Sequence, residues 1–366
     1  MLSLTGSSAA VALLAACGGD DGGATAPTDE TATAAATAAP AASPTAGPIS
    51  TVAGSVPDPK IEVRGEAISP TDTDAAIASS AAQSHFVALA PSVKQRGQLF
   101  MYLPGSGTSP TTHKLINEQA ARNGFHVVSL FYQSLSPAGQ NLLVLCGNDS
   151  SGECFNATEL RILDGQSRTG SQIEVTEVNS VMNRLVKLLR YLPGKHPGEG
   201  WDSYLVGDTP KWESIVVAGA SLGGSLVAQI ARERSVARVV MLSAPLDHTP
   251  IGRQNGGAFQ VAPWLSGPHA TPSARYYAFG HSADENVDWE LQWKAAQLGL
   301  LDLGAITNVD GAKAPFGNSH LLVTSAKPAT TGANANHISI VYDAVTPKDA
   351  NGQPLHAPVW QYLMVG

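Results

Sequence analysis

From about residue 59 onward, short apolar runs alternate with stretches in which apolar residues recur every three or four positions. Runs of about four to eight apolar residues suit strands buried on both faces, and the longer spacing gives a helix one apolar side. Ile61 to Ala67 alternates apolar and charged residues and predicts an edge strand, with a second strand at His85 to Ala90. A third, Gln98 to Leu103, runs into Pro104-Gly105-Ser106-Gly107-Thr108. Ser109 before Pro110 predicts a helix start and Asn123-Gly124 its stop. His126 to Tyr132 is a nearly continuous apolar run. Val178, Val181, Leu185 and Leu188 fall at helical spacing, and Pro193 is expected to end that helix. Further strands are predicted at Ser214 to Ala220, Arg238 to Ser243, Ala274 to Gly280 and His320 to Thr324, with a helix from about Trp289 to Leu298. Alternating strands and helices demand a mostly parallel sheet covered on both faces. In such sheets ligands bind beyond the carboxyl ends of the strands.

One junction carries chemistry. The apolar strand ending at Ala220 meets the amphipathic stretch from Leu222 through Ala218-Gly219-Ala220-Ser221-Leu222-Gly223-Gly224. A strand-to-helix turn this tight tolerates only small residues two places either side of its apex, and Gly219 and Gly223 stand there. A serine at the apex points its Oγ from the strand end toward the N-terminus of the next helix, where backbone N–H groups can hold an oxyanion.

Composition sets the limits around this unit. The 366 residues favour one folded domain, residues 59–366, behind a tail. Residues 18–58 are rich in Ala, Thr, Gly and Pro, carry almost no aromatic or large aliphatic side chains, and read as a disordered tether. A formal charge of −8 without Lys/Arg clusters argues against a nucleic-acid partner. Residues 1–17 hold a short apolar run ending in Leu14-Ala15-Ala16-Cys17, which resembles the lipobox of bacterial lipoproteins, although residues 1–10 lack Lys and Arg. The resemblance implies lipidation at Cys17 and an exported protein whose one membrane link is that anchor, facing the periplasm or cell exterior. Cys146 and Cys154 flank a Gly/Asn/Asp/Ser-rich loop and form a candidate disulfide, two buried free thiols being the alternative. No histidine stands at zinc-ligand spacing from them, and no metal or cofactor is expected.

The order of elements, the Gly-Ser-Gly loop after the third strand and the serine turn resemble the α/β-hydrolase superfamily over residues 60–366. The resemblance implies a single-domain α/β-hydrolase fold with nucleophile, acid and histidine in that chain order. Asp284 falls where the triad acid is expected, in Gly280 to Val287, with Asp247 the alternative placement and Glu285 and Asp288 its acidic neighbours. The base is expected from the loop after the last strand, which selects His337 over His320 at the wrong strand end and His356 in the tail. The oxyanion donors implied are the N–H groups of Leu222 and Ser106, with Gly107 and Thr108 competing for the second place. No Lys-Ser/Thr pair follows the glycine loop, as a phosphate cradle would need.

This set implies a serine esterase acting on a small or polymeric ester. A peptidase or acyltransferase on the same triad, and a non-catalytic envelope-binding lipoprotein, remain alternatives. The connection from His248 to Pro272, with Phe259 and Trp264, could wall the site, as could Trp289; an ordinary packed loop is the other reading.

Overall fold

In the order they are met along the chain, nine strands build the central sheet among the described residues, which are 55–78, 83–249, 260–296 and 304–366 of a computed structural model. Cys17, nearly all of the 18–58 segment, Phe259 and the end of the helix expected at Leu298 lie outside them. The strands are β1 (Arg64–Ile68), β2 (His85–Leu89), β3 (Leu99–Leu103), β4 (His126–Ser129), β5 (Ile215–Ala220), β6 (Arg238–Leu242), β7 (Tyr276–His281), β8 (Thr307–Asn308) and β9 (Leu321–Thr324). Their spatial order is β1-β2-β4-β3-β5-β6-β7-β9-β8. β1 and β4 pair with β2 antiparallel, and the other pairings are parallel. This is the α/β-hydrolase fold.

Two layers of helices cover the sheet because β5 turns alternate residues to opposite sides. Ile215 and Val217 pack with α3 (Glu153–Asp164), α4 (Val181–Lys195) and α5 (Leu222–Glu233) through Phe155, Leu188 and Leu226. Val216 and Ala218 pack with α1 (Lys114–Arg122) and α8 (Ala357–Val365) through Ile116, Trp360 and Leu363. Arg238 of β6 lies over the Tyr277 ring and donates to the Leu363 carbonyl at 3.1 Å, so a cation meets the negative end of α8.

The position of the site follows from the strand order. The chain leaves β3 for β4 on one side and returns as β5 on the other, so the crevice beyond the ends of β3 and β5 is a topological switch point. Gly105 follows β3 there, and Ser221 follows β5.

Several local expectations need correction. Pro193 lies inside α4, which continues to Lys195; a proline two residues from a helix end forfeits one backbone bond without forcing an exit. Val178 is exposed in a 3₁₀ turn, outside the helix it was expected to open. The stretch after Ser109 divides into a 3₁₀ turn, Pro110–Thr112, and α1, separated by His113. Only the connection between Cys146 and Glu153 is a loop, because α2 (Leu142–Cys146) and α3 flank it.

Candidate active site

Ser221 has φ 54° and ψ −124°, a conformation that costs a non-glycine residue of order 1–3 kcal/mol and persists only where the surroundings enforce it. The enforcement is visible around it. The Ser221 N–H donates to the Leu242 carbonyl at 2.9 Å, and the Ser221 carbonyl accepts from Gly224 and Ser225, closing the first turn of α5. A Cβ on Gly223 would stand 2.0 Å from the Leu103 carbonyl oxygen, and one on Gly219 would stand 2.2 Å from the Gly223 oxygen. Glycine is required at both positions by close backbone packing at φ values any residue could adopt.

His337 sits on α7 (Ala335–Ser339), in the loop region beyond β9. Its ring Nδ1 lies 2.8 Å from Asp284 Oδ2, and the Asp284 side chain is fully enclosed. Asp284 Oδ1 accepts from the Asn286 N–H at 2.9 Å and the Val287 N–H at 3.3 Å, which fixes the carboxylate in the loop after β7. With Asp284 accepting at Nδ1–H, the Nε2 lone pair is free to accept a proton. Asp247 has other partners, Ser225 Oγ at 2.9 Å and Trp264 Nε1 at 2.9 Å.

Two residues that sequence reasoning did not assign a role here hold the His337 backbone. Glu285 accepts from the Asn336 N–H with one carboxylate oxygen and from the His337 N–H with the other, both at 2.9 Å. Ser243 Oγ donates to the His337 carbonyl at 2.7 Å. Ser243 follows β6 and itself has φ 47°. The histidine is therefore tied at ring, backbone nitrogen and backbone oxygen by three groups from two loops. An acid directly after the predicted triad acid was the available signal for Glu285; nothing in the sequence marks Ser243.

The glycine loop turns beneath Ser221, since a Cβ on Gly105 would lie 3.2 Å from the Ser221 Cβ. Within the loop, the Gly107 N–H donates to Ser134 Oγ at 2.9 Å and the Thr108 N–H donates to the Gly105 carbonyl at 3.1 Å. Both competitors of Ser106 are thus engaged inside the protein. The Leu222 N–H begins α5, where a helix supplies its own N–H groups with no acceptor. Buried Tyr132 donates to the Pro104 carbonyl at 2.6 Å. Buried His113 bridges Thr108 Oγ1 and the Tyr102 hydroxyl, each at 3.2 Å, and Thr108 Oγ1 donates on to the Gly105 carbonyl. Burial lowers the His113 pKa to about 4, so this bridge is made by neutral imidazole.

Ser221, Leu222, Ser106 and His337 line one cleft of about 130 Å³, walled also by Leu142, Leu143, Leu246 and Asp247. Trp264 and Trp289 do not reach that wall. Trp289, which opens α6 (Trp289–Ala295), is buried over Gly280 and stacked on Trp293 with ring centroids 5.1 Å apart, and Trp264 touches the cleft only through its bond to Asp247. Behind Asp247 lies Glu159, also buried, whose Oε2 accepts from Gln229 Nε2 at 3.3 Å. Burial raises the pKa of both, and the negative charge of Asp247 raises Glu159 further. Cys146 and Cys154 form a disulfide with Cα atoms 5.4 Å apart, joining α2, which carries Leu142 and Leu143, to α3. Among the described residues no group of three or more His, Cys, Asp or Glu side chains is arranged to hold a metal ion.

No family model and no curated protein sequence matches the chain. Solved structures give remote likenesses. An α/β serine hydrolase homologue from Coxiella burnetii aligns at 14% identity and TM-score 0.32, over 68% of this chain and 86% of that one. Esterase B from Lactobacillus rhamnosis, inhibited by a tributyrin phosphonate, aligns at 12% identity and TM-score 0.25, over 50% of this chain and 48% of that one. A hyperthermophilic esterase from the archeon Pyrobaculum calidifontis aligns at 17% and 0.23, over 46% and 39%. This chain thus spans about half or less of the two esterases. At such TM-scores the fold rests on strand order and the serine turn, and these are the α/β-hydrolase arrangement.

Proposed function

We propose that this chain is an exported serine hydrolase that cleaves carboxylic esters through an acyl-enzyme intermediate on Ser221. The observation that carries the reading is the 2.8 Å bond from Asp284 to His337, whose ring shares a cleft with a strained serine at a helix N-terminus. His337 Nε2 takes the Ser221 proton as Oγ bonds to the ester carbonyl carbon, and the Leu222 and Ser106 N–H groups hold the resulting oxyanion. Asp284 stabilises the imidazolium. As the C–O bond to the alcohol breaks, His337 returns its proton to the leaving oxygen. Water then repeats the sequence on the acyl-enzyme, its proton passing to His337 and on to Ser221, and the carboxylic acid departs.

A disulfide beside the cleft is in keeping with an oxidising compartment, and Leu14 to Cys17 supplies a candidate lipid anchor. The test is hydrolysis of p-nitrophenyl butyrate. Ser221→Ala is expected to lower turnover by up to about a million-fold with unchanged circular dichroism; retained turnover defeats the reading. Metabolic labelling with a palmitate analogue checks the anchor separately, and label persisting in Cys17→Ser removes it.

A further inference from the structure

A second cavity, of about 550 Å³, lies on the other side of the glycine loop, where Gly107, Phe131, Tyr132, Ser134 and Arg184 are among its walls. Arg184 of α4 is the unusual member. Only 2% of its surface is exposed, yet among the described residues no carboxylate pairs with it. Its Nε donates to the Asn179 carbonyl at 2.9 Å, and one terminal nitrogen donates to the Ala78 carbonyl at 3.0 Å and to Asn179 Oδ1 at 3.2 Å. The other terminal nitrogen, Nη1, is buried without a partner. A guanidinium does not shed its proton at ordinary pH, so burial leaves it a cation without a counter-charge, a costly state that an anion in the cavity would relieve.

The surroundings suit a carboxylate. Ser134 Oγ accepts from the Gly107 N–H, and among the described residues no acceptor takes the Ser134 hydroxyl proton, which leaves that proton to donate into the cavity the residue lines. Two donors on Nη1 and one on Ser134 match the lone pairs of a carboxylate. Phe131 and Tyr132 supply the apolar wall that a short carbon chain attached to it would cover, with the Phe131 ring centroid 5.9 Å from the Arg184 guanidinium carbon. We infer that this cavity is a binding site for a carboxylate-bearing organic molecule, held by Arg184 Nη1 and the Ser134 hydroxyl. The carboxylate comes either from the distal end of an ester substrate, which rests on the hydrolase reading above, or from a free organic acid, which does not.

Thermal unfolding of the full chain, with glutarate or butyrate against sodium chloride at equal ionic strength, tests the site without using catalysis. Either acid at about 100 times its Kd is expected to raise the midpoint by several degrees, and equally in Ser221→Ala. Arg184→Gln is expected to abolish the shift and Ser134→Ala to weaken binding several-fold. Arg184→Lys, which keeps the charge but loses the fork, is expected to weaken binding about tenfold and stands in for the glutamine variant if that fails to fold. No shift in the wild-type protein, or an equal shift in a folded Arg184 variant, overturns the proposal.

Kinetics then separates the sources. If the carboxylate belongs to the substrate, Arg184→Lys raises KM about tenfold for the mono-p-nitrophenyl ester of glutaric acid and leaves p-nitrophenyl butyrate unchanged. If it belongs to a free acid, the variant leaves both KM values unchanged while the thermal shift is still reduced. Absence of all hydrolysis would defeat the hydrolase reading and leave the thermal arm standing.

Discussion

His337, the base of the proposed mechanism, shows how much of a side chain's placement is done by its neighbours. Asp284 fixes the ring, Glu285 the backbone nitrogen and Ser243 the backbone oxygen, so the imidazole has little freedom to turn away from the cleft. Glu285 does not touch the reacting atoms, and its removal should act through position alone. Glu285→Ala is expected to lower kcat for a p-nitrophenyl ester about 10- to 100-fold with KM little changed. Glu285→Gln, which keeps one acceptor oxygen, should recover much of the loss; a rise in KM with kcat unchanged would contradict this role. The grouping of Ser221, Asp284 and His337 was legible because each belongs to a local pattern in a fixed chain order. Ser243 and His113 were not, since their partners are brought to them only by the folded sheet: the His337 carbonyl lies 94 residues from Ser243.

At the scale of elements, the serine turn depends on the end of β3 as much as on its own strand. A Cβ on Gly223 would meet the Leu103 backbone, which cannot move without disturbing the β3–β5 pairing. Gly223→Ala is therefore expected to destabilise the protein by about 3 kcal/mol or more in urea unfolding; a stability within error of wild type would show that the turn is looser than described. Strands β2 to β7 could be read from their apolar runs. α2 and α3 were hidden because the glycine-rich loop between the cysteines dominated the composition around them, and α8 because its residues are apolar on every side, eight of its nine being buried. The Cys146–Cys154 bond closes a short loop, so Cys154→Ser should cost roughly 2 kcal/mol. Because α2 carries Leu142 and Leu143 to the cleft, the same variant should also raise KM; unchanged stability and kinetics would contradict a role for the bond in holding that wall.

For the molecule as a whole, the sheet's switch point between β3 and β5 gathers the glycine loop and Ser221, and loops from β6, β7 and β9 bring Ser243, Asp284 and His337 over them. A buried acid pair stands behind this assembly. Glu159 and Asp247 both have raised pKa values, so their contribution to stability is greatest below the ordinary carboxylate pKa of about 4 and is lost as pH rises through the raised values. Glu159→Gln has no proton to lose. Urea midpoints across pH are expected to fall less steeply toward neutrality in that variant than in wild type, and identical profiles would remove the pair as a source of pH dependence.

The central claim is that Ser221 is the acyl-transfer nucleophile. Treating the protein with a fluorophosphonate and mapping the adduct by peptide mass spectrometry tests it most directly. One adduct per chain, located on Ser221 and lost in Ser221→Ala, is the predicted result. No adduct, or an adduct on another residue that persists in Ser221→Ala, would contradict the account.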